Sequence, residues 1–147
     1  MYIPKRFNIT EESIKISLMK SQSFACLVTQ HMGRSMATHL PFVIEEQGER
    51  LYLVSHMAKA NEQLAYLDGK DCMVIFTGPH AYISPQHYDK IESVPTWDYV
   101  AVHAYGTASI IHDPMDKVAS LKAMIHSYEP AYRKQWDTLS ASFKATM

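Results

Sequence analysis

Phe24-Ala25-Cys26-Leu27-Val28 is an unbroken run of apolar or small side chains with no helical period, and it constrains the fold of this chain more than any other stretch. Such a run reads as a β-strand buried on both faces. Arg34 to Leu40 is its expected partner, and Pro41 to Glu46 and Arg50 to Ser55 flank Gln47-Gly48, a glycine turn between apolar runs that signals a hairpin. These four runs predict an antiparallel sheet. Cys72 to Thr77 adds another apolar strand, and Tyr99 to Ile111, alternating loosely around Gly106, adds one long bent strand or two.

Helices flank this sheet. Asn8 or Thr10 followed by Glu11 and Glu12 is a helix-start signal, because a short oxygen side chain caps free backbone donors and acids favour the positive helix end; that helix runs to about Met19. Ala58 to Leu67, rich in Ala, Leu, Glu and Gln and closed by Asp68-Gly69, predicts a short helix. Asp113-Pro114 opens another, whose apolar face is Val118, Leu121, Ile125 and Tyr128. Pro130 starts a last helix carrying Trp136, Leu139 and Phe143. The expected class is mainly β with flanking helices, α+β, in a single domain over 1–147 with C-terminal helices from about 113 onward.

Charge narrows the function. Lys plus Arg number 14 and Asp plus Glu 15, so the formal charge is 14 − 15 = −1, which argues against a strongly basic nucleic-acid binder. Lys5 and Arg6 are followed by no long apolar core, which argues against a signal peptide, and the absence of an 18-residue apolar run argues against a membrane span; a cytoplasmic protein is expected. Cys26 and Cys72 lie within apolar runs and read as buried reduced thiols. The histidines, at 31, 39, 56, 80, 87, 103, 112 and 126, include no pair at i+2, i+3 or i+4, so no zinc spacing is present. GxSxG, HExxH and Gly-rich phosphate loops are also absent, which argues against familiar hydrolases, zinc proteases and P-loop or Rossmann nucleotide binders.

Ser55-His56-Met57-Ala58-Lys59-Ala60-Asn61 carries the sharpest chemical signal, since it falls where a strand is expected to end and a helix to begin. Unpaired helix-start N–H groups joined by a hydroxyl, a cation and an amide outline a phosphate cradle. The same residues also read as a plain N-cap and a solvated surface lysine. Thr38, His39 and Pro41 form a second polar patch at a strand end, readable either as a ligand-facing edge or as ordinary hydrogen-bonded strand-end residues. Gly78 to Asp98 contains Pro79, Pro85 and Pro95 with a high density of Tyr, His and Trp, and reads as a long loop. Tyr82, Tyr88 and Trp97 on such a loop would cover a ligand or a subunit contact, or else cap the barrel.

Five strings give a family resemblance: Met1-Tyr2-Ile3-Pro4-Lys5, Ala37-Thr38-His39-Leu40-Pro41-Phe42, His56-Met57-Ala58-Lys59-Ala60-Asn61, Phe76-Thr77-Gly78-Pro79-His80-Ala81-Tyr82-Ile83-Ser84-Pro85, and Val94-Pro95-Thr96-Trp97 with Tyr99. In this order they resemble the PaiB-like FMN-binding negative transcriptional regulators, over residues 1 to about 130. The resemblance implies an antiparallel split β-barrel of the PNP-oxidase and flavin reductase-like kind, a homodimer holding FMN at its subunit interface. It implies Ser55, His56, Lys59 and Asn61 for the FMN phosphate and ribityl chain, and Thr38, His39, Leu40 and Pro41 along the isoalloxazine, where backbone amides can tune the ring. Trp97 and Tyr99 are implied to cover the flavin from the other subunit.

Arg6, Ser55, His87 and Asp98 stand where that family commonly has His, Gly, Trp and Asn, and Asp98 would oppose an anionic cofactor close by. The family usually continues with a Gly-Phe-rich strand and a Lys-Phe-Lys-Leu-Ser-Gln-Asn segment. Nothing like it follows Phe143, so FMN affinity would be weak or lost if that segment touches the phosphate. The expected function is an FMN-binding protein of the PaiB-like regulator type, for which direct DNA binding is doubtful at this charge. The alternatives are an FMN-dependent oxidoreductase, a haem-binding barrel using His39, His80 or His103, and a cofactor-free dimer.

Overall fold

The computed structural model describes residues 2–145. Met1, which opens the first of the five strings, lies outside them. The strands are β1 (Phe24–His31), β2 (Arg34–Pro41), β3 (Val43–Gln47), β4 (Arg50–Val54), β5 (Asp71–Ile83) and β6 (Thr96–Thr107). The helices are α1 (Glu12–Ser21), α2 (Pro114–Tyr128), α3 (Arg133–Thr138) and α4 (Ala141–Ala145), with short 3₁₀ turns between elements. Four strands form an antiparallel sheet in the order β2-β1-β5-β6, and β3 and β4 form a separate ribbon. Among the described residues no helix is long and apolar enough to cross a membrane.

Met32 (φ 49°) and Gly33 (φ 77°) join β1 to β2 in a two-residue turn whose positive φ angles suit the twist of the strands. Gly48, at φ 63°, does the same for β3 and β4. Alternate residues then face one way: Ala25, Leu27, Leu40, Phe42, Ile44, Val74 and Phe76 close over Met19 of α1 to make the core. Phe42 meets Phe76 edge to face at 5.8 Å.

The structure departs from the sequence-based expectations in several places. β1 is buried on one face only. Its outward residues Cys26 and Val28 are half-buried and Phe24 is 68% exposed, because nothing among the described residues covers that side of the sheet. The expected helix Ala58 to Leu67 is reduced to a 3₁₀ turn, Glu62–Tyr66. Asn61 sits in extended backbone and its side chain accepts from Gln63 N–H, so the residues before it stay out of helix. α1 begins at Glu12, with neither Asn8 nor Thr10 as its cap. The helix expected from Pro130 is interrupted at Leu139, where extended backbone ends α3 and the Ser140 hydroxyl accepts from Phe143 N–H to start α4.

The expected long loop 78–98 is shorter than the sequence suggested, because strand takes both of its ends. β5 runs on to Ile83 and β6 starts at Thr96, so only residues 84–95 connect them. An irregularity in pairing between Thr77 and His80 absorbs Gly78 and Pro79, which lets a proline sit inside a strand without breaking the ladder on either side. Gly78 is required there by close approach: a Cβ would lie 3.0 Å from Leu18 Cδ1 and 3.2 Å from the Val100 carbonyl oxygen. At the start of α2 the sequence reading holds, with Asp113 accepting from Met115 N–H at 2.8 Å and Asp116 N–H at 3.1 Å, but the buried residue of the helix is Met124, outside the expected apolar face, and Tyr128 is exposed.

Candidate functional site

β2 and the segment after β4 are brought together by two hydrogen bonds. Ser55 Oγ donates to the Pro41 carbonyl at 2.7 Å, and Asn61 Nδ2 donates to Thr38 Oγ1 at 3.1 Å. The loop 55–61 is thus tied at both ends to the outer strand of the sheet, and two of the sequence patches become one site. The Ser55 hydroxyl hydrogen is engaged by Pro41, which leaves its oxygen as an acceptor. His56 points its Nδ1 at Met124 Sδ of α2, 3.0 Å away, and Tyr128 of the same helix donates to the Phe42 carbonyl at 2.9 Å. Helix α2 therefore supports the site from behind.

Between those ties the loop is rich in unused donors. Among the described residues, the backbone N–H groups of His56 through Ala60 donate to nothing in the chain, and Lys59 is exposed with no acidic partner. Five free amide hydrogens and an ammonium on one short segment suit an anion. They do not belong to a helix end, because the 3₁₀ turn starts only at Glu62.

Along β2 the strand period divides the candidate residues. Leu40 is a core side chain, 9% exposed, and Thr38 shares its inward face, while His39 is exposed on the outward face near the Phe24 ring, 6.1 Å between centroids. Leu40 can therefore meet a ligand only through its backbone. As the edge strand, β2 has a backbone side unused by the sheet.

Trp97 and Tyr99 are not brought to this patch within one chain. They lie on β6, the opposite edge, three strand spacings or about 14 Å across the sheet, and are displaced along it as well, because the register places Thr38 level with Ala104 and not with Tyr99 or Trp97. The register pairs Tyr82 with Trp97 and His80 with Tyr99, so these four rings share one face of the β5–β6 ribbon. His80 stacks on Trp97 at 5.7 Å and Tyr82 tilts against it at 6.1 Å, yet Tyr82, Trp97 and Tyr99 remain 56%, 54% and 57% exposed. Asp98 pairs with Ala81 and so faces the other side of that ribbon. Gln63 is the residue the sequence reading did not single out, while His80 entered it only as a candidate haem ligand. His80 lay within a matching string, whereas Gln63 carried no local signal.

Neither half of the site is a closed cavity. Two shallow depressions lie elsewhere, one of about 370 Å³ along α1 at Ser13, Ser17 and Ser21 and one of about 250 Å³ at Met124, Tyr128 and Tyr132. Of the two free cysteines, Cys72 is partly buried beside Asp71, and burial first, then that carboxylate, push its thiol up from the ordinary value.

A family model described as "Putative FMN-binding domain" matches residues 1–147. The chain belongs to this FMN-binding domain family. The domain is 39% identical over 144 residues to the Bacillus subtilis "Protease synthase and sporulation protein PAI 2", covering 95% of this chain and 68% of that protein. It is 30% identical to the Saccharomyces cerevisiae protein YKL070W, covering 95% and 96%. Two solved structures share its fold at TM-score 0.70: the FAD and heme binding protein from Mycobacterium smegmatis (18% identity, 93% of this chain) and the flavocytochrome Anf3 from Azotobacter vinelandii (15%, 98%). This FMN-binding domain spans 63% and 64% of those two chains. Its antiparallel sheet with flanking helices is the split β-barrel of flavin-binding proteins, as the resemblance to PaiB-like proteins implied.

Proposed function

We propose that this protein binds FMN between two copies of the chain, with the phosphate on the loop 55–61, the isoalloxazine along Thr38 to Pro41, and Trp97 and Tyr99 of the second copy over the ring. The observation that carries the reading is the donor-rich loop, five free N–H groups with Lys59, held on the edge strand by Ser55–Pro41 and Asn61–Thr38. A phosphate offers only acceptors at neutral pH, so it complements such a loop. Asn61 has its oxygen engaged by Gln63 N–H and one amide hydrogen by Thr38, which leaves a second amide hydrogen for the ligand.

Two features support the dimer. The uncovered outer face of the sheet carries rows Ala37-Val28-Met73-Tyr105 and His39-Cys26-Ile75-His103, mostly apolar and suited to self-association. The aromatic face and the phosphate loop also lie at opposite edges of one chain, so a second copy is the simplest way to bring them to one ligand. FMN, when bound, supplies hydride or electron transfer; the protein supplies position, exclusion of water and donors to the ring. A regulatory role of the PaiB type is the reading carried by sequence similarity, and at a net charge of −1 it acts without broad electrostatic attraction to DNA.

The test is gel filtration of the purified protein after adding FMN, with mass and visible absorbance followed together. Flavin absorbance co-eluting at twice the chain mass, and reduced in Lys59→Ala, is the expected result. A monomer, or a colourless dimer, overturns the proposal.

A further inference from the structure

Gln63 is 1% exposed, one of two buried polar residues among those described. Its Nε2 donates to Thr29 Oγ1 at 2.7 Å, with the Leu27 and Met36 carbonyls at 3.4 and 3.5 Å, and its backbone N–H donates to Asn61 Oδ1 at 2.9 Å. Its Oε1 is buried with no partner. Half of a buried amide is therefore unsatisfied, which lowers stability relative to an apolar side chain of the same shape. A position that only fills space is better filled by Met or Leu.

The bonds that are made fix one thing: the depth and register of the 3₁₀ turn against β1 and β2. That turn continues directly from the donor loop: Asn61, the loop's second tie to β2, caps it, and the Gln63 side chain pins it to β1 and β2 two residues later. We infer that Gln63 is a positioning residue that pre-organises the donor loop for a phosphate monoester, an inference that rests on the phosphate reading above. A loop already fixed loses less conformational freedom when it closes on its ligand, so pre-organisation appears as affinity without a direct contact. The stack of His31 on Tyr66, at 3.6 Å and 12°, keeps the far end of the turn on the sheet when the amide is removed.

Titrating Gln63→Met, Thr29→Val and Lys59→Ala dimers with FMN and with riboflavin, which lacks the phosphate, separates the cases. Gln63→Met is expected to weaken FMN about tenfold, to leave riboflavin affinity unchanged and to melt no lower than the parent. Thr29→Val, which removes the acceptor and keeps the amide, follows it in sign. If Lys59→Ala lowers FMN affinity selectively while Gln63→Met and Thr29→Val do not, the positioning role is wrong and the phosphate site stands. If Gln63→Met lowers both affinities together with the melting temperature, Gln63 is structural only and the inference fails. If Lys59→Ala leaves FMN affinity unchanged, the phosphate reading fails, and the positioning role with it.

Discussion

Ser55→Ala separates a ligand from a fastener. The Ser55 hydroxyl has a single hydrogen, and it lies 2.7 Å from the Pro41 carbonyl in a half-buried setting. Donating it to a phosphate would break that bond, so its worth lies in the tie. A neutral hydrogen bond of this kind contributes about 1 kcal/mol, and for a chain of this size the loss lowers the melting temperature by roughly 3 °C. Lys59 and the free amides of residues 56–60 are untouched, and Asn61 still holds the far end of the loop. FMN affinity should therefore fall by no more than about twofold, since half of the tethering remains. Thermal unfolding by circular dichroism and FMN fluorescence quenching measure the two effects on one sample. A tenfold loss of FMN affinity at an unchanged melting temperature would refute the argument and make Ser55 a direct phosphate donor.

Other expectations follow from the same geometry. Gly78→Ala should destabilise by about 1–3 kcal/mol, since the backbone oxygen of Val100 cannot yield as Leu18 can; an unchanged denaturant midpoint would contradict the close approach. Trp97→Ala removes a half-exposed ring and should barely change thermal stability while reducing the FMN retained by the dimer, as read by gel filtration. Asp113→Ala should cost about 1 kcal/mol by removing both N-cap bonds of α2, visible in the same melts. The raised Cys72 thiol means that the folded state holds its proton more tightly than the unfolded state. Its contribution to stability is complete below the ordinary thiol range and is lost as pH rises through it, so Cys72→Ala should flatten the decline of stability at alkaline pH.

The sequence by itself determined the local decisions. The apolar runs around Leu27 and Val74, the glycine turn at Gly48 and the Asp113-Pro114 helix start were all legible, because side-chain period, positive φ and capping depend on a few neighbouring residues. The strings around Thr38 and Lys59 were legible as candidates, but not their meeting through Asn61 and Thr38, 23 residues apart. The role of Gln63 was invisible, since its partner Thr29 lies 34 positions away. Tertiary structure also decided that the outer face of β1 stays uncovered, that Tyr82 and Trp97 of the aromatic segment sit on paired strands rather than on its loop, and that the two halves of the candidate site occupy opposite edges of the sheet. Those outcomes depend on strand order and on which surfaces remain unpaired after the core closes, and neither is encoded in the pattern of any single segment.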